Sequence, residues 1–325
     1  MGVTKEQREK IKEERIGLVL KNNKNEFFKI IEYNNSSDIT IQFLDDYQCL
    51  KHTNWTNICS GKISNPHHSR EGKISINYQN YKMKIIYYKN NMDIIVEFQD
   101  KWKAKVHTRW EHFISGNVKN PYAPLVYNRG MTGEKYITYK NGDNTKEYTT
   151  WYNLFIRCYD QKLHLENKNR AYIDCNICDQ WFLYDNFYEW LHSQDNFNKW
   201  FNGTHWDIDK DILIKNNKIY SPDKCLLVPK AVNELFLKNK WNRGEYPIGV
   251  SYRKDTGCYT ARCNNPLTKE REYLGSFTSE NDAFNVYKNR KEKIIKQVAE
   301  KEFHENNITE KCYIAMINYE VDIHD

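Results

Sequence analysis

The feature that most constrains the fold is an internal repeat, because the chain matches itself without gaps at a fixed offset of 55 residues. The identities pair Lys29-Ile30-Ile31 with Lys84-Ile85-Ile86, Asp38-Ile39 with Asp93-Ile94, Phe43 with Phe98, His52-Thr53-x-Trp55 with His107-Thr108-x-Trp110, Gly61 with Gly116, and Asn65-Pro66 with Asn120-Pro121. Two copies are too few for a solenoid. The repeat therefore predicts two small β-rich modules, over residues 16–75 and 76–134, after an N-terminal helix over residues 1–15.

Each copy has the pattern of a strand, an Asn-rich turn, a second strand, a short helical turn and an Asn-Pro turn. Trp55 and Trp110 are expected to close the two cores, an interpretation we favour over base stacking. Basic residues lie between the core positions and either meet phosphate or form an ordinary solvated face: Lys62, Lys101, Lys103, Lys105, Arg109 and Lys119. Paired modules of this kind serve recognition, so a protein partner is a further possibility.

Composition sets broader bounds. At 325 residues the chain has room for two or three domains. Its net charge of +6 is compatible with a nucleic-acid partner without proving one. No apolar run approaches the length of a membrane span and the charged N-terminus lacks a signal-peptide core, so we expect no membrane association. Nine scattered cysteines favour a reducing compartment, hence the cytoplasm.

The most chemically suggestive stretch runs from His205 to Val228. Its first half alternates and contains β-branched residues, and it carries Asp209 and Asp211 before the paired Asn216-Asn217. Ser221-Pro222-Asp223 has the residue order of a helix N-terminus. The stretch therefore predicts a compact ββα unit in which carboxylate and amide groups converge. Such a group can hold one divalent cation, Mg²⁺ or Mn²⁺, against a phosphodiester.

Helices and a second sheet surround this stretch. A helix capped at Thr149-Thr150 and an aromatic-rich helix over Asp179–Trp200 are expected before it. Between them, Cys175 and Cys178 supply only half of a zinc site, so structural zinc is not expected. After a linker at Trp241–Gly244, the pattern predicts three strands and a long helix from the Ser279 cap to about Lys301, then a short helix and an acidic tail.

The three-stranded segment, residues 245–301, resembles the APETALA-type, ethylene-response-factor-like DNA-binding domain. The resemblance rests on Gly249-Val250, Arg253, Tyr259, Ala261, Leu274-Gly275-x-Phe277-x-Ser279 and Ala283-x-x-x-Tyr287-Lys288. That family lays its sheet in the DNA major groove. The resemblance implies that Arg253, Tyr259 and Arg262 face DNA, with Lys254, Lys269 and Arg271 near phosphates.

Residues 135–240 resemble the HNH endonucleases of phages and mobile introns, which contain a ββα-metal (His-Me finger) core. The matching residues are Trp151, Arg157-Cys158-Tyr159, Cys178-x-x-Trp181, Asn186-Phe187-x-x-Trp190, Asp209-Lys210-Asp211-Ile212-Leu213, Asn217-Lys218-x-Tyr220-Ser221-Pro222 and Cys225-x-x-Val228-Pro229. With Pro247-Ile248-Gly249-Val250 and the C-terminal Asn318-Tyr319-Glu320-Val321, the resemblance to a phage HNH protein spans nearly the whole chain. It implies a phage-encoded protein acting in the cytoplasm of a bacterial host.

HNH chemistry needs a base for water, one divalent ion and an Asn that fixes the loop orienting the base. The resemblance implies Asp209 as a metal ligand and Asn217, or its neighbour Asn216, as that Asn. Lys210 stands where the general-base His would be, or Asp209 itself if the register shifts by one, and Asp223-Lys224 stand where the last His or Asn would be. A Lys ammonium is a base only if burial depresses its pKa strongly.

Other side chains could supply the missing groups. His205 and Asp211 lie at even spacing from Asp209 and are expected on the same strand face. His205 is then a candidate base, or simply an exposed strand residue; Asp211 is a candidate ligand or base, and Asp223 a helix-borne ligand.

The sequence therefore predicts an α+β, multidomain chain. Its parts are the tandem modules, a ββα-metal core, a three-stranded sheet with one helix, and a C-terminal segment over 302–325. Two functions are compatible with this architecture. The first is a Mg²⁺-dependent endonuclease that cuts or nicks double-stranded DNA. The second is a DNA-binding protein with a degenerate nuclease core, such as a phage regulator or a host-defence antagonist.

Overall fold

The structure is a computed structural model that describes residues 4–166, 172–237 and 245–325. The chain divides into two compact units, residues 1–123 and 124–325. This division falls before the boundary expected at 134/135, and the linker expected at Trp241–Gly244 lies outside the described residues. Helices and several small sheets are mixed along the chain, consistent with the predicted α+β class. No helix in the described ranges is both long and apolar enough to cross a bilayer.

The first unit contains two antiparallel sheets, with strand orders β1-β2-β3-β4 and β5-β6-β7-β8. Its elements are α1 (Lys5–Arg15), β1 (Val19–Lys21), β2 (Phe27–Asn35), β3 (Asp38–Phe43), β4 (Leu50–Thr53), α2 (Trp55–Cys59), α3 (Pro66–Arg70), β5 (Ile74–Ile76), β6 (Lys82–Asn90), β7 (Asp93–Phe98), β8 (Lys105–Thr108) and α4 (Trp110–Ser115). The second sheet begins at Ile74, just inside the segment expected to form the first module.

The two sheets have the same pairing. Ile30 lies opposite Ile41 in the first sheet, and Ile85 opposite Val96 in the second. Each sheet also has a register shift directly after this pair. Alternate side chains of these strands are buried, as a half-buried hairpin requires.

The buried faces of both sheets join in one hydrophobic core. At the seam the fully buried Cys49 donates a hydrogen bond from Sγ to the carbonyl of Tyr88, at 2.8 Å. An arginine from the helix that precedes each sheet also packs on a tryptophan ring that follows that sheet. Arg15 lies over the ring of Trp55 and Arg70 over the ring of Trp110, at 3.5 and 4.0 Å from the ring centroids.

The second unit is built from short helices, small sheets and one long helix. Its elements are β9 (Tyr139–Lys140), β10 (Asp143–Asn144), α5 (Lys146–Tyr159), α6 (Gln161–Leu165), β11 (Asn176–Ile177), α7 (Tyr184–His192), α8 (Phe197–Asn202), β12 (Trp206–Asp209), β13 (Ile219–Tyr220), β14 (Leu226–Pro229), α9 (Lys230–Glu234), β15 (Val250–Arg253), β16 (Cys258–Asn265), β17 (Glu270–Phe277), α10 (Glu280–His304) and α11 (Glu310–Ile317). The long helix α10 and its Ser279 cap agree with the sequence pattern.

Two helical predictions were wrong in detail. The cap of α5 is Thr145, whose side chain accepts a hydrogen bond from the Tyr148 N–H, because the β9–β10 hairpin ends there. The single helix expected over Asp179–Trp200 is instead a 3₁₀ turn followed by α7 and α8. The breaks let aromatic residues on all three segments turn into one core: Trp181, Phe187, Trp190 and Trp200.

A second core of this unit joins elements that the sequence assigned to different domains. Leu226 and Val228 of β14 and Val232 of α9 pack with Ala261 of β16 and with the buried face of α10. Strand β14 and the C-terminal sheet and helix therefore share one packed interior.

Candidate functional site

The candidate site lies on β12, β14, α9 and the loop between the two strands. Strand β12 pairs antiparallel with β14, so that Asp209 lies opposite Leu226. The helix begins at Lys230, however, and not at Ser221 as expected. Ser221–Lys224 forms one turn, in which the Cys225 N–H bonds the Ser221 carbonyl at 3.0 Å. The chain then becomes extended because Leu226, Leu227 and Val228 are buried on β14.

Asp209 is a buried carboxylate at the end of β12, with 8% of its surface exposed. Its Oδ1 accepts the backbone N–H groups of Asp211 and Ile212, both at 2.7 Å. Burial raises the pKa of Asp209 to about 6, although the two N–H donors favour the charged form. Among the described residues, no other group donates a hydrogen bond to this carboxylate. Oδ2 is therefore available to bind a cation.

Lys210 is also buried, and its ammonium Nζ lies 2.7 Å from Oδ2 of Asp211. Burial alone would lower the pKa of Lys210, but the hydrogen bond and charge of Asp211 raise it above the usual value. Lys210 is therefore a cation and not the proton acceptor considered from the sequence. The other oxygen of Asp211, Oδ1, is buried without a hydrogen-bond partner.

Asn217 holds the loop that follows Asp209. Its amide nitrogen donates to the carbonyls of Lys210 and Ile219, both at 2.8 Å, and its oxygen accepts the Ile219 N–H at 3.2 Å. The two ends of the loop are thereby joined by one side chain.

His205 does not share a strand face with Asp209. The strand begins at Trp206, and His205 precedes it with φ +65°, a left-handed conformation that breaks the alternation. Its carbonyl accepts the Lys230 N–H at 2.7 Å, while the side chain is exposed. Asp211 likewise lies beyond the end of β12, in the loop.

Asp223 is an exposed turn residue and not a helix-borne ligand. The Ser221 hydroxyl donates to its Oδ1 at 2.6 Å and lowers the pKa of Asp223. Within residues 4–166, 172–237 and 245–325, no three His, Cys, Asp or Glu side chains are grouped to hold a metal ion. The three predicted ligands Asp209, Asp211 and Asp223 are thus not gathered as one set.

Sequence reasoning missed Asn233 and Asp207. Asn233, on α9, donates from Nδ2 to Oδ2 of Asp207 on β12 at 3.1 Å, and Nη2 of Arg157 lies 3.9 Å from Oδ1 of Asp207. Because the helix begins at Lys230, Asn233 is an amide side chain on that helix, whereas Asp223 and Lys224 lie on the preceding turn. The sequence signal that could have located this helix is Val228-Pro229, where the strand ends. A helix that begins directly after Pro229 has Asn233 in its first turn.

The C-terminal sheet has order β15-β16-β17 and packs one face on α10. Arg262 lies opposite Tyr273, and Arg253 opposite Cys258, two positions that share the outer face by strand alternation. Arg253 is engaged by Asp255, at 2.8 Å between Nη2 and Oδ2.

The other residues predicted to contact DNA lie in three different places: the outer sheet face, the turns between strands and the inner sheet face. Arg271 lies opposite Asn264 and so shares the outer face with Arg262. Lys254 and Lys269 are exposed turn residues. Tyr259 was misplaced: it packs against the core shared with α10, on the face opposite Arg262.

No protein-family model, no curated protein and no solved structure matches this chain.

Proposed function

We propose that this protein is a DNA-binding endonuclease of the HNH type, dependent on Mg²⁺ or Mn²⁺, which nicks one strand of duplex DNA. The reaction would take place beside Asp209 on the strand–loop–strand–helix segment of the second unit. The outer face of the C-terminal sheet would hold the duplex. The first unit would be a tandem pair of duplicated modules, each a four-stranded sheet with its own arginine-bearing helix.

The observation that carries the proposal is the side chain of Asn217 bridging Lys210 and Ile219. A hydrolytic site needs its acidic groups held in fixed positions, since misplacement by about 1 Å costs on the order of 100-fold in rate. Asn217 supplies that restraint directly after Asp209, where the resemblance expects it.

Two carboxylates are suited to one divalent cation. Mg²⁺ is commonly bound by one or two carboxylates, with waters and phosphate oxygens completing its octahedron. Asp209 Oδ2 and the unpartnered Asp211 Oδ1 are the atoms that would hold it. When bound, the cation would polarise the scissile phosphate and stabilise charge on the leaving oxygen.

The chain's own groups divide the remaining tasks. Oδ1 of Asp209 accepts two backbone N–H groups and Oδ2 would hold the cation, so this carboxylate would act as a ligand rather than as the proton acceptor for an attacking water. Lys210 stays protonated and limits the negative charge of the paired carboxylates. Asn233 fixes Asp207 and thereby ties α9 to β12.

Duplex binding is supported by the exposed arginines of the outer sheet face. Arg262 and Arg271 form no ion pair with a described residue, whereas Arg290 on the helix side is neutralised by Glu272 at 2.5 Å. A sheet face with free guanidinium groups suits phosphates and guanine edges in the major groove.

The test is nicking of supercoiled plasmid by the full chain with Mg²⁺ or Mn²⁺. Asp209→Ala and Asn217→Ala should each abolish nicking, while Lys224→Ala, a charge change on the neighbouring turn, should leave it unchanged. Activity that survives Asp209→Ala would refute the assignment.

A second function is favoured by one specific observation, the ion pair between the buried Lys210 and the half-buried Asp211. The family's base position is here occupied by a cation, and that cation is neutralised by the carboxylate next to it. An HNH-like protein with a degenerate nuclease core would bind duplex DNA in a salt-dependent manner. It would not nick that DNA in the presence of either Mg²⁺ or Mn²⁺.

A further inference from the structure

A pair of stacked aromatic rings lies on the surface of the second module of the first unit. Trp102 and Tyr122 are 4.7 Å apart at their ring centroids and within 7° of parallel. Trp102 is 41% exposed, an unusual state for the largest apolar side chain. We call this pair the aromatic platform.

The platform is held by hydrogen bonds that centre on Asp100 and Asn120. Asp100 Oδ1 accepts the N–H groups of Trp102 and Lys103, at 3.0 and 3.1 Å. Asn120, fully buried, donates to Asp100 Oδ2 at 2.7 Å and accepts the Tyr122 N–H at 3.0 Å. Both ring-bearing loops are thus joined by one Asp–Asn contact, so the rings are ordered before any ligand arrives.

The first module contains the same construction at positions 55 residues earlier. Asn65 donates to Asp45 at 2.6 Å, and Tyr47 stacks on His67 at 3.4 Å. Here the pair is covered: His67 is buried, and Tyr87 of β6 lies 5.9 Å from Tyr47. The first stacked pair therefore belongs to the seam between modules, whereas its copy in the second module faces solvent.

The charge around the two pairs differs. Four exposed lysines lie within three residues of Trp102 or Tyr122 in the sequence. The first module has an acidic, an amide, an apolar and a hydroxyl residue at the equivalent positions: Lys101, Lys103, Lys105 and Lys119 stand in place of Asp46, Gln48, Leu50 and Ser64. None of the four forms an ion pair with a described residue, and Nζ of Lys101 lies 5.1 Å from the Trp102 ring centroid. The exposed copy has acquired positive charge that the covered copy lacks.

We propose that the aromatic platform stacks an unpaired base of a DNA strand, with the four lysines on the flanking phosphates. A flat ring beside unpaired cations is the combination that binds single-stranded nucleic acid without sequence preference. Bases inside a duplex are already stacked on each other, so the ligand is a single-stranded segment or a frayed end. The site uses no residue of the proposed nuclease site and stands if that chemistry fails.

The test is fluorescence anisotropy of a labelled single-stranded oligo(dT) with the full chain in EDTA, which prevents cleavage. Trp102→Ala should weaken binding on the order of 10-fold, the usual loss for one base–aromatic stack, and Trp102→Phe should keep most of the affinity. Tyr139→Ala is the matched control, because Tyr139 is 60% exposed and lies in the second unit, outside the module that carries the platform. Thermal unfolding of each variant shows that it is folded.

An abasic oligonucleotide separates stacking from charge. It should bind wild type and Trp102→Ala equally, while Lys101→Ala with Lys103→Ala should weaken both oligonucleotides and lower the salt slope by roughly 1.4. Equal oligo(dT) affinity of wild type and folded Trp102→Ala overturns the proposal. So does self-association that Trp102→Ala removes without changing oligonucleotide binding, since the platform would then seat a second copy.

Discussion

The side-chain amide of Asn217 donates a hydrogen bond to the carbonyl of Lys210, 2.8 Å away and seven residues earlier in the chain. With the second bond to Ile219, it closes the loop that carries Asp211. The geometry of the acidic groups therefore depends on one amide.

Removing that amide should affect stability as well as chemistry. Asn217→Ala leaves two carbonyls and one N–H without their partner, so the free energy of unfolding should fall by about 1–3 kcal/mol. Urea unfolding measures this, with Lys218→Ala, an exposed neighbour, as the control. Equal stability of Asn217→Ala and wild type would show that the loop is held by something else.

The buried Asp209 predicts a pH effect of definite sign. Its folded pKa of about 6 exceeds the ordinary value of 3.8, so its contribution to stability is fully present below pH 3.8 and is lost as pH rises through 6. The loss should be roughly 2–3 kcal/mol. Asp209→Asn keeps the acceptor for the two N–H groups without the charge.

The measurement is urea unfolding of wild type and Asp209→Asn at pH 4.5 and 7.5. The variant should gain stability relative to wild type at the higher pH. Parallel changes in the two proteins would contradict the raised pKa.

The equivalent contacts Asp45–Asn65 and Asp100–Asn120 predict equivalent costs. Asn65→Ala and Asn120→Ala should each lower the free energy of unfolding by about 1–3 kcal/mol, because both residues are buried and bridge two loops. Asn117→Ala, at an exposed position, should be neutral. Since both sheets share one core, the first unit should unfold in a single transition. Separate transitions for the two modules would be inconsistent with that core.

The ion pair of Arg253 predicts that an acidic residue restrains DNA binding. Asp255→Asn frees the guanidinium and should raise duplex affinity, whereas Arg262→Ala should lower it and reduce the salt slope by about 1. Glu300→Gln, on the exposed side of α10, makes the same change in net charge elsewhere. Fluorescence anisotropy with labelled duplex DNA in EDTA compares the affinities of the three variants. An equal gain in affinity from Asp255→Asn and Glu300→Gln would show that net charge, and not the freed Arg253, is responsible.

The sequence predicted those strands and helices that depend on residues close together in the chain. Alternating burial marks the hairpin of β2 and β3, and the Ser279 cap marks the start of α10. The bonds of Asn217 span only the adjacent loop and are local in the same sense. Tyr259 and Arg262 are three positions apart on one strand, so strand alternation alone could have separated their faces.

Errors arose where packing overrides a local signal. Ser221-Pro222-Asp223 has the residues of a helix start, but the buried Leu226–Val228 pairs with β12 and delays the helix to Lys230. That shift also concealed Asn233. Histidine is one of the residue types enriched at left-handed φ, but the strand pattern around His205 outweighed that weak signal, and the left-handed φ removed the expected alignment with Asp209.

The interior shared by β14, α9, β16 and α10 has a consequence for how this protein can be changed. Cutting the chain before residue 245 would strip Val228 and Val232 of their apolar neighbours and expose the other side of the same interface. The C-terminal piece could not then be grafted onto another protein as an independently folding domain. The sheet and the strand that leads out of the Asp209 loop are therefore expected to be inherited together, and a substitution in this interior is expected to disturb both.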